Sequence, residues 1–288
     1  MAKLEGERRA RDEGFTAFPV NPFAIADTLD IHVEKKPPGM RGVSGALIFA
    51  QPRPIIIYSS EHQSEGFERF SLAHELGHYL LPGHPEEIIA AGGTHFSKAG
   101  FSEGSNSIEL EADHFAAGLL MPDALVKSHL ADAQIGMEGL RSLADLARVS
   151  VTAAAISAAG CAPYPLCVIV SEGARVAYAF PSGSFKDLGD RIYLRKNDLL
   201  PPSLTADFNR DAANVAGGRR VTGACRLADW FDGARKLPMD EEVLGLGRYG
   251  LTLTVLSSEA LADGDDDDGA ESDETMIDRW TPRFAYRR

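Results

Sequence analysis

Three side chains able to hold and use a metal ion lie within one short stretch. Ser71–Leu81 reads S-L-A-H-E-L-G-H-Y-L-L and contains His74, Glu75 and His78 as H-E-x-x-H. Residues four apart lie on one face of a helix, so both imidazoles can bind one ion. Zinc accepts nitrogen ligands in this geometry, and a neighbouring glutamate is typical of a general base acting on water. The stretch predicts a zinc-dependent hydrolase; two surface histidines on an amphipathic helix are the alternative.

A third ligand is expected from a second helix. Asn106–Met121 reads N-S-I-E-L-E-A-D-H-F-A-A-G-L-L-M. Glu109 lies on the small and apolar face of this helix and is the predicted third ligand. Asp113, one turn on, can accept a hydrogen bond from the far nitrogen of a ligating histidine. Glu111 points about 200° away from Glu109 and is the alternative ligand. Ordinary acidic charge at a helix N-terminus is the competing interpretation.

Together, R-F-S-L-A-H-E-L-G-H-Y-L-L and I-E-L-E-A-D-H-F-A-A-G-L-L-M-P resemble the ImmA/IrrE family of metallopeptidases. The resemblance covers Asn21–Gly160. It implies a thermolysin-like, zincin active site in which His74, His78 and a glutamate of the second helix bind zinc and Glu75 activates water. Known members cleave helix-turn-helix transcriptional repressors, which relieves repression under stress or on prophage induction. The resemblance therefore implies a zinc endopeptidase whose protein substrate is a repressor supplied in trans.

The alternative function is a DNA-binding or protein-binding regulator with a non-catalytic zinc site. Gly139–Ala159 resembles a helix-turn-helix pair, which suits DNA binding, docking of a repressor, or simple packing of two helices. Its second helix, Val151–Ala159, is rich in alanine and has no Arg, Lys, Asn or Gln to read base edges. A structural zinc site also needs four protein ligands, and the sequence offers three good ones. These observations argue against direct nucleic-acid binding.

The segment between the two metal helices, Pro82–Ser105, is rich in Gly, Ser and His and is predicted to be a long loop or lid. It holds His84 and His95. Either can donate a hydrogen bond to the oxyanion of a transition state, and His95 is the preferred candidate. A solvated loop histidine is the alternative. Upstream, Val43–Ala50 is predicted to be the edge strand that pairs with an extended substrate, with a core strand as the alternative.

The pattern of elements predicts an α+β fold with two domains. Residues 21–160 form a zincin-like domain: a small sheet, the H-E-x-x-H helix, the glutamate helix and a helix-turn-helix-like pair at 139–159. Residues 161–260 are predicted to form a small α+β domain, for which the resemblance implies a sensor-like role. Residues 1–20 are predicted to be mobile, and the acidic tail 261–288 largely disordered. The strands predicted for the C-terminal domain are Leu166–Ser171, Arg175–Phe180, Arg191–Leu194, Arg219–Ala224 and Leu251–Leu256.

Composition excludes several classes of protein. The net charge is −13, and eight acids between Asp263 and Glu274 account for much of it, so there is no basic stripe for nucleic-acid phosphates. No apolar run is long enough for a membrane span. The three cysteines, Cys161, Cys167 and Cys225, are too few and too scattered for a disulfide framework. Without an apolar leader segment, we expect a cytoplasmic protein.

Overall fold

The computed structural model describes residues 1–37, 42–60, 64–98, 107–189 and 191–261. The chain divides into two compact units. The first unit comprises Met1–His129 and Arg141–Ser157, and the second comprises Leu130–Leu140 and Ala158–Arg288. The predicted α+β class is confirmed, because helices and two separate sheets are both present. The domain boundaries drawn from the sequence stay predictions, and the predicted disordered tail lies, apart from Leu261, outside the described residues.

Helices flank a small sheet in the first unit. Its elements, the last three of which continue into the second unit, are α1 (Ala2–Asp12), α2 (Pro22–Thr28), β1 (His32–Lys35), β2 (Val43–Ile48), β3 (Ile55–Tyr58), α3 (Glu65–Leu80), α4 (His84–Ala90), β4 (Thr94–Lys98), α5 (Ser107–Leu120), α6 (Asp123–Asp132), α7 (Met137–Ala147) and α8 (Val151–Cys161). The helix-turn-helix-like pair corresponds to α7 and α8.

The prediction of a mobile N-terminus is wrong for residues 2–12, which form α1 and pack against α5. Ala2, Gly6 and Ala10 are buried, and their spacing of four places them on one helical face. A Cβ atom at Gly6 would overlap the carbonyl oxygen of Phe115, so the two helices approach very closely. Such a face of alanine and glycine has little hydropathy, and the charged residues around it dominate the sequence pattern.

The strand order of the sheet in the first unit is β1-β3-β2-β4. β1 pairs with β3 in parallel, and the other neighbours are antiparallel. β2 is therefore an interior strand, and the prediction that Val43–Ala50 forms the substrate-binding edge is wrong. β4 lies at one edge of the sheet formed by the described strands. β2 is interior because β4 pairs with its other side, and the sequence pattern predicts no strand at β4.

The prediction of a long loop at Pro82–Ser105 is also wrong over much of that segment. Pro85, at the start of α4, suits the first turn of a helix, because its missing N–H has no partner there anyway. Thr94–Lys98 then forms β4 against β2, with His95 opposite Leu47. Residues 99–106 lie outside the described part of the chain.

Helix α3 carries the H-E-x-x-H motif through the centre of the first unit. Every residue from Ser71 to His78 is buried, and the helix packs against α5 and β2. A Cβ at Gly77 would lie only 3.1 Å from the Cα of Ala112. These two small residues let α3 and α5 approach closely, which brings the motif next to the glutamate helix.

The second unit contains a five-stranded antiparallel sheet of order β6-β5-β9-β8-β7. Its further elements are β5 (Leu166–Glu172), β6 (Arg175–Pro181), α9 (Gly183–Lys186), α10 (Leu204–Asn209), α11 (Ala212–Ala216), β7 (Arg220–Arg226), α12 (Leu227–Trp230), β8 (Pro238–Gly245) and β9 (Thr252–Ser257), with 3-10 turns at Gly247–Tyr249 and Glu259–Leu261. One side of the sheet packs on an apolar cluster that includes Ile169, Phe185, Trp230 and Leu256.

One strand prediction in this unit is wrong, and one strand was not predicted. Arg191–Leu194 is not a strand, although Ile192 contributes to the apolar cluster. β8, which reads P-M-D-E-E-V-L-G, was not predicted because its centre is acidic, yet Glu241 and Glu242 are buried within it. Cys161, Cys167 and Cys225 form no disulfide with one another.

Among the described residues, no single helix is long and apolar enough to cross a membrane. The α7–α8 pair meets that test of length and composition only when the two helices are taken together, and a bend of 111° separates them.

Candidate metal centre

The two histidines of α3 converge on one point, as their spacing predicts. His74 and His78 are both buried. Their Nε2 atoms lie 3.1 Å apart, and their rings are tilted by 70°. Because a straight helix repeats every 3.6 residues, this pairing follows directly from the four-residue spacing. Two imidazole lone pairs can therefore face a single cation.

Glu109 of α5 completes a cluster of three. Its Oε2 atom lies 3.4 Å from Nε2 of His74, and its Oε1 atom lies 3.5 Å from Nε2 of His78. All three ligand atoms lie within 4.8 Å of one another. Glu111, the alternative third ligand, instead places its carboxylate 3.2 Å from Nε2 of His84. Between the two acids, the structure brings Glu109 to the imidazoles.

Asp113 lies one helical turn beyond Glu109 and contacts His74 from behind. Its Oδ1 atom is 2.8 Å from Nδ1 of His74. Burial lowers the pKa of His74, but its hydrogen bonds to Asp113 and Glu109 outweigh burial and raise the pKa to about 10. If a cation were bound at Nε2, the ring would keep its proton on Nδ1 and donate it to Asp113, which would fix the ring orientation.

Glu75 is completely buried beside this cluster. Ser97 of β4 donates a hydrogen bond to its Oε1 atom at 2.6 Å, whereas its Oε2 atom has no partner within the described residues. Burial raises the pKa of Glu75 to about 7, although the charge of His74 and the bond from Ser97 oppose that rise. A Cβ at Gly45 of β2 would overlap Oε1, so the strand leaves room for this side chain only because residue 45 is glycine.

His95 reaches the cluster from β4. Its Nε2 atom lies 2.7 Å from Oε1 of Glu109, and its ring centroid is 4.3 Å from that of His78. His95 is not a member of the three-ligand group. The sequence pattern predicted a loop at His95, whereas the structure has a strand there, and the pairing of β4 with β2 places the side chain beside Glu109.

His84, the less favoured of the two histidines in the predicted loop, is almost completely buried at the start of α4. Its Nδ1 atom lies 3.2 Å from Nδ1 of His78, and its Nε2 atom lies 3.2 Å from Glu111. The order G-H-P at residues 83–85 is typical of a helix start, and it is the sequence signal that could have placed His84 in a helix rather than in a loop.

A family model for the IrrE N-terminal-like domain, Peptidase_M78, matches residues 26–158. Residues 26–158 are an IrrE-like domain. The predicted resemblance to the ImmA/IrrE family is thereby confirmed, and the match contains all the residues of the cluster described above. The family designation is that of a metallopeptidase.

The fold is also similar to that of a solved structure, a Mycobacterium tuberculosis transcriptional regulator. The TM-score is 0.51 at 13% sequence identity, and the match covers 90% of this chain and 77% of that one. At this identity the likeness concerns the fold alone. A comparison with curated protein sequences finds no match.

The charges of the IrrE-like domain suit a divalent cation. Burial and the neighbouring charge of His74 keep the pKa of His78 well below its ordinary value, so its imidazole is neutral. Burial alone would raise the pKa of Glu109, but the close imidazoles of His74 and His95 hold it below its usual range, so the carboxylate is ionised. Metal ligands must be deprotonated, and only His74 must release a proton when a cation binds.

The donor set also fits a catalytic rather than a closed structural site. Two imidazole nitrogens and one carboxylate oxygen form the three-ligand group found in the described part of the chain. Catalytic zinc sites use three protein ligands of this kind, whereas structural sites use four. The unpartnered Oε2 atom of Glu75 is a second sign, since a buried carboxylate oxygen normally has a hydrogen-bond donor.

Proposed function

We propose that this protein is a zinc-dependent endopeptidase. The observation that carries the proposal is a buried carboxylate, Glu75, with one oxygen unpartnered among the described residues, beside three converging ligand atoms of His74, His78 and Glu109. A purely structural metal site has no need of that carboxylate. Membership of the IrrE-like family supports the same reaction class.

Zinc is the proposed cation, because two imidazoles and one carboxylate match its preferred catalytic ligands. When bound, zinc supplies Lewis-acid chemistry: it lowers the pKa of water and polarises the scissile carbonyl. His74 and His78 contribute Nε2 and Glu109 contributes its carboxylate. Asp113 keeps the proton on Nδ1 of His74, which leaves Nε2 of that ring free for the metal.

Glu75 is the proposed general base and later the general acid. Its raised pKa, near 7, suits both accepting and releasing a proton at neutral pH. Oε2 accepts the proton of the attacking water and then delivers it to the leaving amine. Ser97, bonded to Oε1, holds the carboxylate so that Oε2 is the reacting oxygen.

The substrate is proposed to bind as an extended strand along β4, at the edge of the described sheet. Main-chain hydrogen bonds of this kind place few demands on the substrate sequence. His95 lies on β4 and contacts the proposed metal ligand Glu109, and it is the proposed hydrogen-bond donor to the oxyanion. This role was predicted for His95 and stays a proposal.

A helix-turn-helix transcriptional repressor, present as a separate polypeptide, is the proposed substrate. Two observations support it: the family resemblance, and the fold shared with a protein described as a transcriptional regulator. Cleavage would relieve repression in a stress response or in the control of a prophage or mobile element. A cytoplasmic location, predicted from the sequence, suits such a partner.

The test is to incubate the purified zinc-loaded protein with repressors encoded near its gene, and to look for a discrete product by gel electrophoresis and mass spectrometry. Glu75→Gln should retain zinc and the fold but lose cleavage by about 10²–10⁴-fold. His78→Ala should lose zinc as well. Glu87→Gln, a change of an exposed glutamate on α4, is the matched control and should cleave normally. Undiminished cleavage by Glu75→Gln would rule out this mechanism.

A second candidate is a regulator that binds DNA through α7 and α8 and has a non-catalytic metal site. The structural neighbour's description favours it. The composition of α8 opposes it, because this helix carries no Arg, Lys, Asn or Gln to read base edges. A gel-shift assay at physiological salt separates the two: specific retardation of operator DNA without any proteolysis would favour the regulator.

A further inference from the structure

We propose that His84 and Glu111 form a hydrogen-bond relay that positions the metal ligand His78. The inference rests on the proposed metal site, because it assigns to these two residues the task of directing Nε2 of His78 toward the cation. His84 and Glu111 are thus positioning residues, which act through His78 and contact no substrate.

The two histidine ligands are supported differently. The far nitrogen of His74 meets a carboxylate directly, since Nδ1 lies 2.8 Å from Asp113. The far nitrogen of His78 meets another imidazole, since Nδ1 lies 3.2 Å from Nδ1 of His84. The opposite ring nitrogen of His84 then lies 3.2 Å from Glu111. Both paths therefore end at a carboxylate: His74 contacts Asp113 directly, whereas His78 reaches Glu111 through His84.

The protonation pattern of this chain is determined once a cation binds. Nε2 of His78 must present its lone pair, so the proton of that neutral ring sits on Nδ1. Nδ1 of His84 must then accept this hydrogen bond, which leaves the proton of His84 on Nε2. That proton points at the carboxyl oxygen of Glu111, which accepts it in a hydrogen bond. Each ring nitrogen along the path from cation to carboxylate thereby has one defined role.

Because His78 and His84 are buried, water cannot readily replace a lost hydrogen bond in the relay. His78 is 0% exposed and His84 is 2% exposed, whereas Glu111 reaches solvent with 51% of its side chain. A buried N–H of His78 without an acceptor would be costly, and water has little access to replace His84. The start of α4 holds His84 in place, because the backbone N–H of His84 bonds to Leu81 and the helix buries Ile88.

The test compares pairs of variants that keep or remove an acceptor. In His84→Asn, the side-chain oxygen can occupy the place of Nδ1, whereas His84→Leu puts a carbon there. Glu111→Gln keeps an acceptor for His84, and Glu111→Leu removes it. His32→Asn, a change of a half-exposed histidine on β1 of the same unit, is the control. Zinc affinity is measured on the full chain by competition with a chromophoric chelator.

We expect His84→Leu to weaken zinc binding by about 10–100-fold, as is usual when the partner of a ligating histidine is lost. His84→Asn should recover most of that loss. Glu111→Leu should have a smaller effect than His84→Leu, and Glu111→Gln and His32→Asn should match the unmodified protein. In the zinc-loaded protein, imidazole ¹⁵N shifts should show His78 protonated at Nδ1 and His84 at Nε2.

Equal affinities for the Leu and Asn variants at position 84, or the opposite tautomer of His84, would overturn the relay while leaving the zinc site intact. If His84→Leu does not fold, the exposed Glu111 pair decides the matter, and identical zinc affinities for Glu111→Leu and Glu111→Gln overturn it. Failure of the unmodified protein to bind zinc would instead overturn the proposed function together with the relay.

Discussion

Glu75 in the IrrE-like domain and Glu241 in the second unit are both almost completely buried, yet their surroundings are opposite in kind. Burying a carboxylate costs free energy unless its oxygens receive hydrogen bonds. The comparison is therefore between a carboxylate that the fold satisfies and one that it leaves partly unsatisfied.

Glu241 of β8 is satisfied at both oxygens. Its Oε1 atom accepts bonds from the backbone N–H and the hydroxyl of Thr205, each at 2.7 Å, and its Oε2 atom accepts the indole N–H of Trp230 at 3.2 Å. Thr205 also shares a hydrogen bond with Thr254 of β9. The carboxylate thus ties α10 and α12 to the sheet, and its role is structural.

Glu75 has one donor, Ser97, for Oε1 and none for Oε2 among the described residues. The unpaired oxygen raises the cost of the charged form, which is why burial raises the pKa of Glu75 to about 7. Buried groups with this kind of perturbation concentrate at functional sites. Burial alone therefore does not distinguish the proposed catalytic carboxylate, Glu75, from the structural one, Glu241; the unpaired oxygen next to ligand atoms does.

The largest effect on stability should come from Glu241→Ala. It leaves the indole of Trp230 and the amide of Thr205 buried without an acceptor, at about 1–3 kcal/mol for each group. We expect a loss of about 3–5 kcal/mol in the free energy of unfolding, measured by urea titration with tryptophan fluorescence. Asp240→Ala, an exposed neighbour on the same strand, should change stability by less than about 0.5 kcal/mol. Equal effects of both changes would contradict a structural role for Glu241.

Glu75→Gln should have the opposite sign in the metal-free protein. The folded-state pKa of Glu75 is raised from 4.5 to about 7, so the folded protein binds more protons than the unfolded chain between these values. Stability is therefore lost as the pH rises through this window. The neutral glutamine removes that loss, and the variant should exceed the unmodified protein by about 1–3 kcal/mol at pH 8 and by little at pH 4. Thermal unfolding across this pH range measures the difference; a constant offset would contradict the shift.

The residues of the candidate metal site could be predicted because each lies on a local helical repeat. His74, His78 and Glu75 are fixed by one turn of α3, and Glu109 and Asp113 by one turn of α5. Periodicity alone selects their faces. That these two helices meet was supplied by the family resemblance, and the small residues Gly77 and Ala112 are the physical reason.

The features that sequence reasoning missed depend on partners distant in the chain. Interior or edge placement of β2 depends on β4, and β4 is recognisable only by its pairing. The acidic strand β8 is stable because Glu241 finds Thr205 and Trp230, which no local pattern reveals. α1 is held by close approach of small residues to α5, and hydropathy does not detect that kind of packing.

The smallest effect should come from Ser97→Ala, which changes the surroundings of Glu75 and not those of Glu241. Ser97 donates the only hydrogen bond that Glu75 receives within the described residues, and that bond lowers the pKa of Glu75. Its removal makes Glu75 still less like Glu241, so the acidic limb of the cleavage profile should move to higher pH by about 0.5–1 unit, equivalent to about 1 kcal/mol. Thr94→Val, an exposed change on the same strand, is the control and should leave the profile in place. A shift toward lower pH would mean that the hydroxyl of Ser97 stabilises the neutral acid, and Ser97 would then have to be reassigned as an acceptor from Glu75.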